Sequence, residues 1–254
     1  MSERPLQMGS KGAYIIRLLM VGDSACGKTS LVLRFDQDIF SSKFVTTIGV
    51  DYRDKLVNVD GVSLRLQLWD TAGQERFRSL TSNFFGRADG FVLAYDCTSR
   101  SSFLHVASWM RDINSRAPPD VDVVLCGNKI DVEDKREVSY EEGLNLAEEF
   151  GICFFEVSAK TGSNVNAMFM SLANSIKNSR LVPLNSFSGG SGGGNDGERG
   201  GGVGLAGGNG GGSKDHNGER AKQEDVFGFR ILKNGGRGED GEEREATSLD
   251  KCCG

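Results

Sequence analysis

The chain has 254 residues, a formal net charge of −5 and a pI near 5.3. That balance argues against a nucleic-acid binder held by a basic face, and no apolar run approaches the roughly eighteen residues of a membrane span. In residues 189–212, fifteen of twenty-four are glycine, too little apolar surface to offset the entropy of ordering. One folded domain over 13–180 and a Gly-rich disordered tail over 181–254 are therefore expected.

Residues 1–12 lack an apolar signal-peptide core, and Gly9 is not at position two, so neither a signal peptide nor a myristoylation site is expected. They read as a flexible extension. Residues 14–21 form an apolar run that ends in a glycine-bearing loop, and 29–35 read as a helix. Residues 50–59 and 62–69 flank Asp60-Gly61, a strong hairpin-turn signal. Three further compact apolar runs, 90–95, 121–126 and 152–157, are typical of strands buried on both faces. Helical patterns separate or follow them at 102–115, 140–150 and 165–178, and Ser139 with Glu142 predicts a capping box. Cys26, Cys97, Cys126 and Cys153 sit singly in apolar segments, the pattern of reduced structural thiols rather than of a disulfide framework. The alternation predicts an α/β fold with a mostly parallel six-stranded sheet, one antiparallel hairpin strand and helices on both faces. A ligand would sit at the carboxyl ends of the strands, where all the loops discussed next converge.

Gly22-Asp23-Ser24-Ala25-Cys26-Gly27-Lys28-Thr29 matches the phosphate-binding loop G-x-x-x-x-G-K-[ST] between a predicted strand and a predicted helix. Its glycines let backbone N–H groups wrap around phosphate, and the helix N-terminus adds positive potential. Ser24, Ala25, Cys26, Gly27 and Ser30 belong to this cradle. Lys28 would reach the β- and γ-phosphates, and the Thr29 hydroxyl would ligate Mg²⁺. An ordinary strand-to-helix turn is the bland alternative, and the motif by itself specifies only a nucleoside triphosphate.

Asn128-Lys129-Ile130-Asp131 follows the strand at 121–126. A carboxylate there accepts from the N1–H and the exocyclic amine of guanine, whereas adenine would leave a buried Asp131 unpaired. The stem of Lys129 can lie along the base plane. In Ser158-Ala159-Lys160, which follows the next strand, the Ala159 N–H is a candidate donor to the guanine O6. These features point to GTP and GDP with Mg²⁺.

With Trp69-Asp70-Thr71-Ala72-Gly73-Gln74-Glu75 added, the chain resembles the Ras superfamily and its P-loop NTPase fold. The resemblance implies that Asp70 holds Mg²⁺ through a water, that the Gly73 N–H meets the γ-phosphate, and that Gln74 orients the attacking water. It further implies that Thr47 ligates Mg²⁺ only when γ-phosphate is present, and that Phe40 covers the guanine ring. Lys28, Thr47 and Gln74 are then the catalytic set. Val45 stands two residues before Thr47, so no arginine finger is supplied in cis. Slow intrinsic GTP hydrolysis, about 10⁻⁴ to 10⁻³ per second, and stimulation by an activating protein follow.

Ile48-Gly49-Val50-Asp51-Tyr52, Arg65-Leu66-Gln67-Leu68-Trp69 and Arg76-Phe77-Arg78-Ser79-Leu80-Thr81 resemble signatures of the Rab family, over about residues 17–179. Tyr52 replaces a usual phenylalanine, and Phe84-Phe85-Gly86-Arg87-Ala88 departs from the usual Tyr-Tyr-Arg-Gly-Ala. The resemblance implies a trafficking switch that recruits effectors when GTP-loaded. Its expected partners are an exchange factor, an activating protein, a GDP-dissociation inhibitor and an escort protein. Cys252 and Cys253 resemble the family's double geranylgeranylation site, implying attachment to the cytoplasmic face of intracellular membranes and cycling with the cytosol; two idle thiols are the alternative. Residues 213–251 carry eight Lys or Arg and ten Asp or Glu, so the lipids rather than polybasic attraction must hold the chain. The apolar island at 226–232 either docks on escort proteins or is incidental. A monomer is expected. A non-hydrolysing GTP-loaded scaffold and a P-loop kinase are rival readings; the presence of Thr29, Thr47 and Gln74 counts against the first, and Asn128–Asp131 together with the lack of an arginine-rich lid against the second.

Overall fold

The computed structural model describes residues 4–9, 12–42, 47, 49–73 and 81–181. Gln74, the cysteine pair at 252–253 and the island at 226–232 lie outside the described residues. Among the described residues there are seven strands: β1 (Gln7–Met8), β2 (Tyr14–Val21), β3 (Val50–Val59), β4 (Val62–Thr71), β5 (Gly90–Asp96), β6 (Asp122–Asn128) and β7 (Cys153–Val157). The α-helices bounded by described residues are α1 (Lys28–Gln37), α2 (Arg100–Leu104), α3 (Val106–Arg116), α4 (Tyr140–Phe150) and α5 (Val165–Arg180). The sheet runs β3-β4-β2-β5-β6-β7. Only β3, paired to β4, and β1, paired to β2, run antiparallel among the described strands.

Asp60 and Gly61 join β3 to β4 with both residues at positive φ, 51° and 78°, the backbone that a tight two-residue hairpin demands. Strand β5, flanked by β2 and β6, is buried along its whole length. That explains its unbroken apolar run, because parallel strands are covered on both faces. Side-chain alternation splits the core. Ile16, Leu18 and Met20 of β2 join Leu31, Val32 and Phe35 of α1 and Met168, Phe169, Leu172 and Ile176 of α5 in one cluster. Phe35 stacks on Phe169 with ring centroids 4.3 Å apart. The intervening residues Leu19, Phe91 and Leu93 are buried towards the opposite face, as are Trp109 and Ile113 of α3. The capping box forms: the Ser139 side chain accepts from the Glu142 N–H, and the Glu142 carboxylate accepts from the Ser139 N–H. The Arg100 guanidinium, then the Ser139 backbone bond, hold that carboxylate down to about 2.

Two features depart from the sequence reading. The extension expected to be flexible contributes strand β1, with Leu6 buried and Arg4 3.3 Å from Asp120. Because β5 meets β2 only from Leu18 onwards, the first residues of β2 leave an edge open, and Gln7–Met8 occupies it. A two-residue strand has no periodicity to reveal it. The helix expected over 102–115 is two helices, broken at His105. Cys26, Cys97 and Cys126 are buried free thiols, in keeping with their isolated places in apolar segments.

Candidate functional site

Strand β2 delivers its buried chain to Gly22, whose φ of +134° puts a hypothetical Cβ 2.1 Å from the Ala94 carbonyl oxygen of β5. A side chain there would collide with backbone, so this turn requires glycine. Gly27 (φ +93°) is equally confined, with a Cβ meeting Asn128 Nδ2 at 2.3 Å. Between them the loop bends back over the N-terminus of α1, where unpaired N–H groups and the helix dipole favour an anion. The Lys28 side chain folds into this loop, and its Nζ donates to the Gly22 and Asp23 carbonyls at 2.8 and 2.7 Å. Lys28 is only 5% exposed. No carboxylate lies within ion-pair distance of it among the described residues, so a buried cation is held by neutral oxygens beside an anion cradle.

Three oxygens meet at the next residue. Thr29 Oγ1 donates to Asp70 Oδ2 at 2.5 Å and lies 2.9 Å from Thr47 Oγ1, which is 3.5 Å from the same carboxylate oxygen. Asp70 is 2% exposed, and its Oδ1 has no hydrogen-bond partner. Burial pushes its carboxyl above the usual carboxylate range, against the Thr29 bond and the Lys28 charge, which favour the ionised form. An orphaned buried oxygen among hydroxyls suits a hard cation such as Mg²⁺, which takes oxygen ligands and would relieve the cost of burying charge. A proton competes with that cation. The raised pKa means that, without metal, protonation here favours the fold at low pH and that this contribution is lost as pH rises through the folded pKa. We expect Mg²⁺ affinity to weaken as pH falls towards that pKa, and EDTA at neutral pH to lower the melting temperature. A Mg²⁺-dependent shift undiminished in Asp70→Asn would place the cation elsewhere.

At the other end, Ser158 Oγ donates to Asp131 Oδ1 at 2.6 Å, and Lys160 Nζ lies 3.5 Å from Oδ2. These contacts aim the carboxylate while leaving acceptor capacity towards the cavity. Lys129 adopts φ +71° and pairs with Asp96 at 2.5 Å, which pins its stem along the site. Asn128 lines the cavity and also bridges two loops. Its Nδ2 donates to the Cys26 carbonyl at 2.9 Å, and its Oδ1 accepts from the Ala159 N–H at 3.1 Å. It ties the phosphate loop to the 158–160 loop, and the Ala159 N–H expected to meet the guanine O6 is engaged by Asn128. Both loops leave the ends of strands in one sheet, so one fully buried amide can span them.

A cavity of about 400 Å³ joins the two ends. Of the residues expected around the nucleotide, Cys26 and Ser158 do not line it; both are fully buried and act from behind the wall. Burial pushes the Cys26 thiol up, despite nearby Lys28, so it is an inert filler. Phe40 and Gly73 line the cavity. Residues the sequence reading missed are Asp96, Arg34 and the pair His105 and Trp109. Trp109 Nε1 donates to Asp23 Oδ1 at 2.8 Å and His105 Nδ1 lies 2.6 Å from Oδ2, fastening the phosphate loop to α3.

Comparison with known proteins agrees with this geometry. A Ras family model matches residues 17–178. The chain is 46% identical over 175 residues to the GTP-binding protein ypt2 of Schizosaccharomyces pombe, covering 69% of this chain and 88% of that one. It is 47% identical over 178 residues to the Ras-related protein RABE1d of Arabidopsis thaliana, covering 70% and 82%. It is 46% identical over 164 residues to the Ras-related protein Rab-8A of Gallus gallus, covering 65% and 79%.

Proposed function

The chain belongs to the Ras superfamily of small GTPases, in its Rab family, and from that premise we propose that it is a nucleotide-timed switch for vesicle traffic on intracellular membranes. It binds GTP and is a GTPase. The observation that carries the switch reading is the meeting of Thr47, from the loop between α1 and β3, with Thr29 and Asp70. A loop residue that completes a cation site beside the phosphate cradle gives nucleotide state a direct hold on surface structure.

In the proposed cycle Lys28 and the N–H groups of the phosphate loop hold the phosphate chain, and Asp131 reads the base. Thr29, Thr47 and, through a water, Asp70 would hold Mg²⁺, which would supply positive charge to the phosphate oxygens. Gly73 brings its backbone against Lys28, where a Cβ would sit 2.3 Å from Nζ and 2.5 Å from the Asp23 carbonyl oxygen, so no side chain fits there. Gln74 orients the water, and loss of γ-phosphate frees Thr47 and Gly73. Effectors would recognise the GTP state, with exchange factor, activating protein, dissociation inhibitor and escort protein governing the cycle. The test is chromatographic analysis of copurified nucleotide followed by single-turnover decay of loaded GTP. We expect bound GDP or GTP, slow decay, and decay slower by about tenfold or more in Gln74→Leu. GTP that never decays in the unaltered protein would mean that the timer is absent.

Geranylgeranyl groups on Cys252 and Cys253 supply the membrane anchor in this reading, since one chain gives only marginal binding and two give stable attachment. No helix among the described residues is long and apolar enough to cross a membrane. Changing both cysteines to serine is expected to move the protein from the membrane fraction to the soluble fraction of a cell expressing it; unchanged partition would remove the lipid anchor from the account.

A further inference from the structure

Helix α1 begins at the phosphate cradle with Lys28 and Thr29, and its last turn carries Arg34 towards the base end of the cavity. The Arg34 side chain is 15% exposed. Its Nε donates to the Ala159 carbonyl at 2.9 Å and its Nη2 to the Lys160 carbonyl at 2.8 Å. Nη1 donates to the Asp38 carbonyl and carboxylate at 2.9 and 2.8 Å. The planar fork thus grips two successive carbonyls of the 158–160 loop and is itself braced by the residue that ends α1. Gly162 packs the same loop on the arginine stem, with a hypothetical Cβ 3.6 Å from Cδ.

That loop aims the base-reading groups. Ser158 Oγ and Lys160 Nζ hold Asp131, and the Ala159 N–H holds Asn128. We propose that Arg34 is a positioning residue for guanine recognition: by clamping the Ala159 and Lys160 carbonyls it fixes the Asp131 carboxylate against the base, and it links this end of the site to the helix that opens at the phosphates. The inference rests on the guanine-nucleotide reading above. Lysine cannot replace the clamp, because a single ammonium on a flexible stem does not reproduce a rigid fork that spans two carbonyls.

The test compares release of GDP with release of inosine diphosphate, which lacks the exocyclic amine that Asp131 would accept. Both are measured on the full chain with Mg²⁺ for the unaltered protein, Arg34→Lys and Arg34→Ala. In the unaltered protein GDP should leave at least about tenfold more slowly than inosine diphosphate, the worth of one charge-assisted hydrogen bond. In both variants GDP release should accelerate by about tenfold and inosine diphosphate release by less, so that the ratio falls towards one. General loosening of the fold would speed both releases equally, so an unchanged ratio in both variants overturns the role of Arg34, whatever happens to the melting temperature. Equal release of the two nucleotides from the unaltered protein would instead overturn the guanine reading, and this inference with it.

Discussion

Replacing Asp131 with alanine is expected to lower guanine-nucleotide affinity by about 10²- to 10³-fold. Two hydrogen bonds from the base to a carboxylate are at stake, each worth about 1.5–3 kcal/mol when the acceptor is charged, and not fully additive. The carboxylate is prepared for this role: its side chain is 11% exposed, and it is held by Ser158 and Lys160. Asp131→Asn is the sharper variant. Its amide retains one acceptor but presents a donor where guanine also offers one, while xanthine carries a carbonyl at that position. Preference should therefore move from GTP towards xanthosine triphosphate. Displacement titrations with both nucleotides check this, and an Asp131→Asn protein that still prefers GTP would assign base recognition to other groups.

The second large effect is expected at Lys28. Lys28→Ala should weaken GTP binding by about 10²-fold or more and lower the hydrolysis rate of whatever GTP remains bound by about 10²- to 10³-fold, the cost of removing one aimed donor from developing charge. Two features of the site carry this expectation. The ammonium is buried with the Gly22 and Asp23 carbonyls as its close partners, so phosphate is the natural anionic counterpart. Its removal also takes one donor from each of those carbonyls, leaving the Asp23 carbonyl with the Cys26 thiol, which loosens the cradle itself. Because Nζ would reach both β- and γ-phosphates, GTP should lose more than GDP. Calorimetric titration with each nucleotide tests the ratio; GTP bound as tightly as by the unaltered protein would remove Lys28 from the site.

Arginine is no substitute at position 28. A Cβ on Gly73 would already lie 2.3 Å from Lys28 Nζ and 2.5 Å from the Asp23 carbonyl oxygen, so the space around the ammonium is closed on the side of β4.

Much of the site is legible in the sequence because its chemistry is local. The phosphate loop needs glycines, a lysine and a hydroxyl within eight consecutive residues, so Gly22, Gly27, Lys28 and Thr29 declare themselves by spacing. Asp60-Gly61 declares the hairpin, and Ser139 with Glu142 the start of α4, by the same kind of short-range rule. The order and type of the principal strands and helices follow from periodicity, and with them the rim on which the loops meet. Tertiary structure alone decides what joins those loops. Asn128 spans from Cys26 to Ala159, Asp96 pins Lys129, Trp109 and His105 hold Asp23, and Arg34 grips carbonyls 125 and 126 residues further along the chain. Strand β1 likewise exists because β5 begins too late to cover the first residues of β2. A hydrogen bond between distant residues leaves no period and no motif in either segment, since each partner is one polar side chain among many. Local chemistry names the groups proposed to meet the nucleotide; the packing of strands and helices decides which other groups hold them in place.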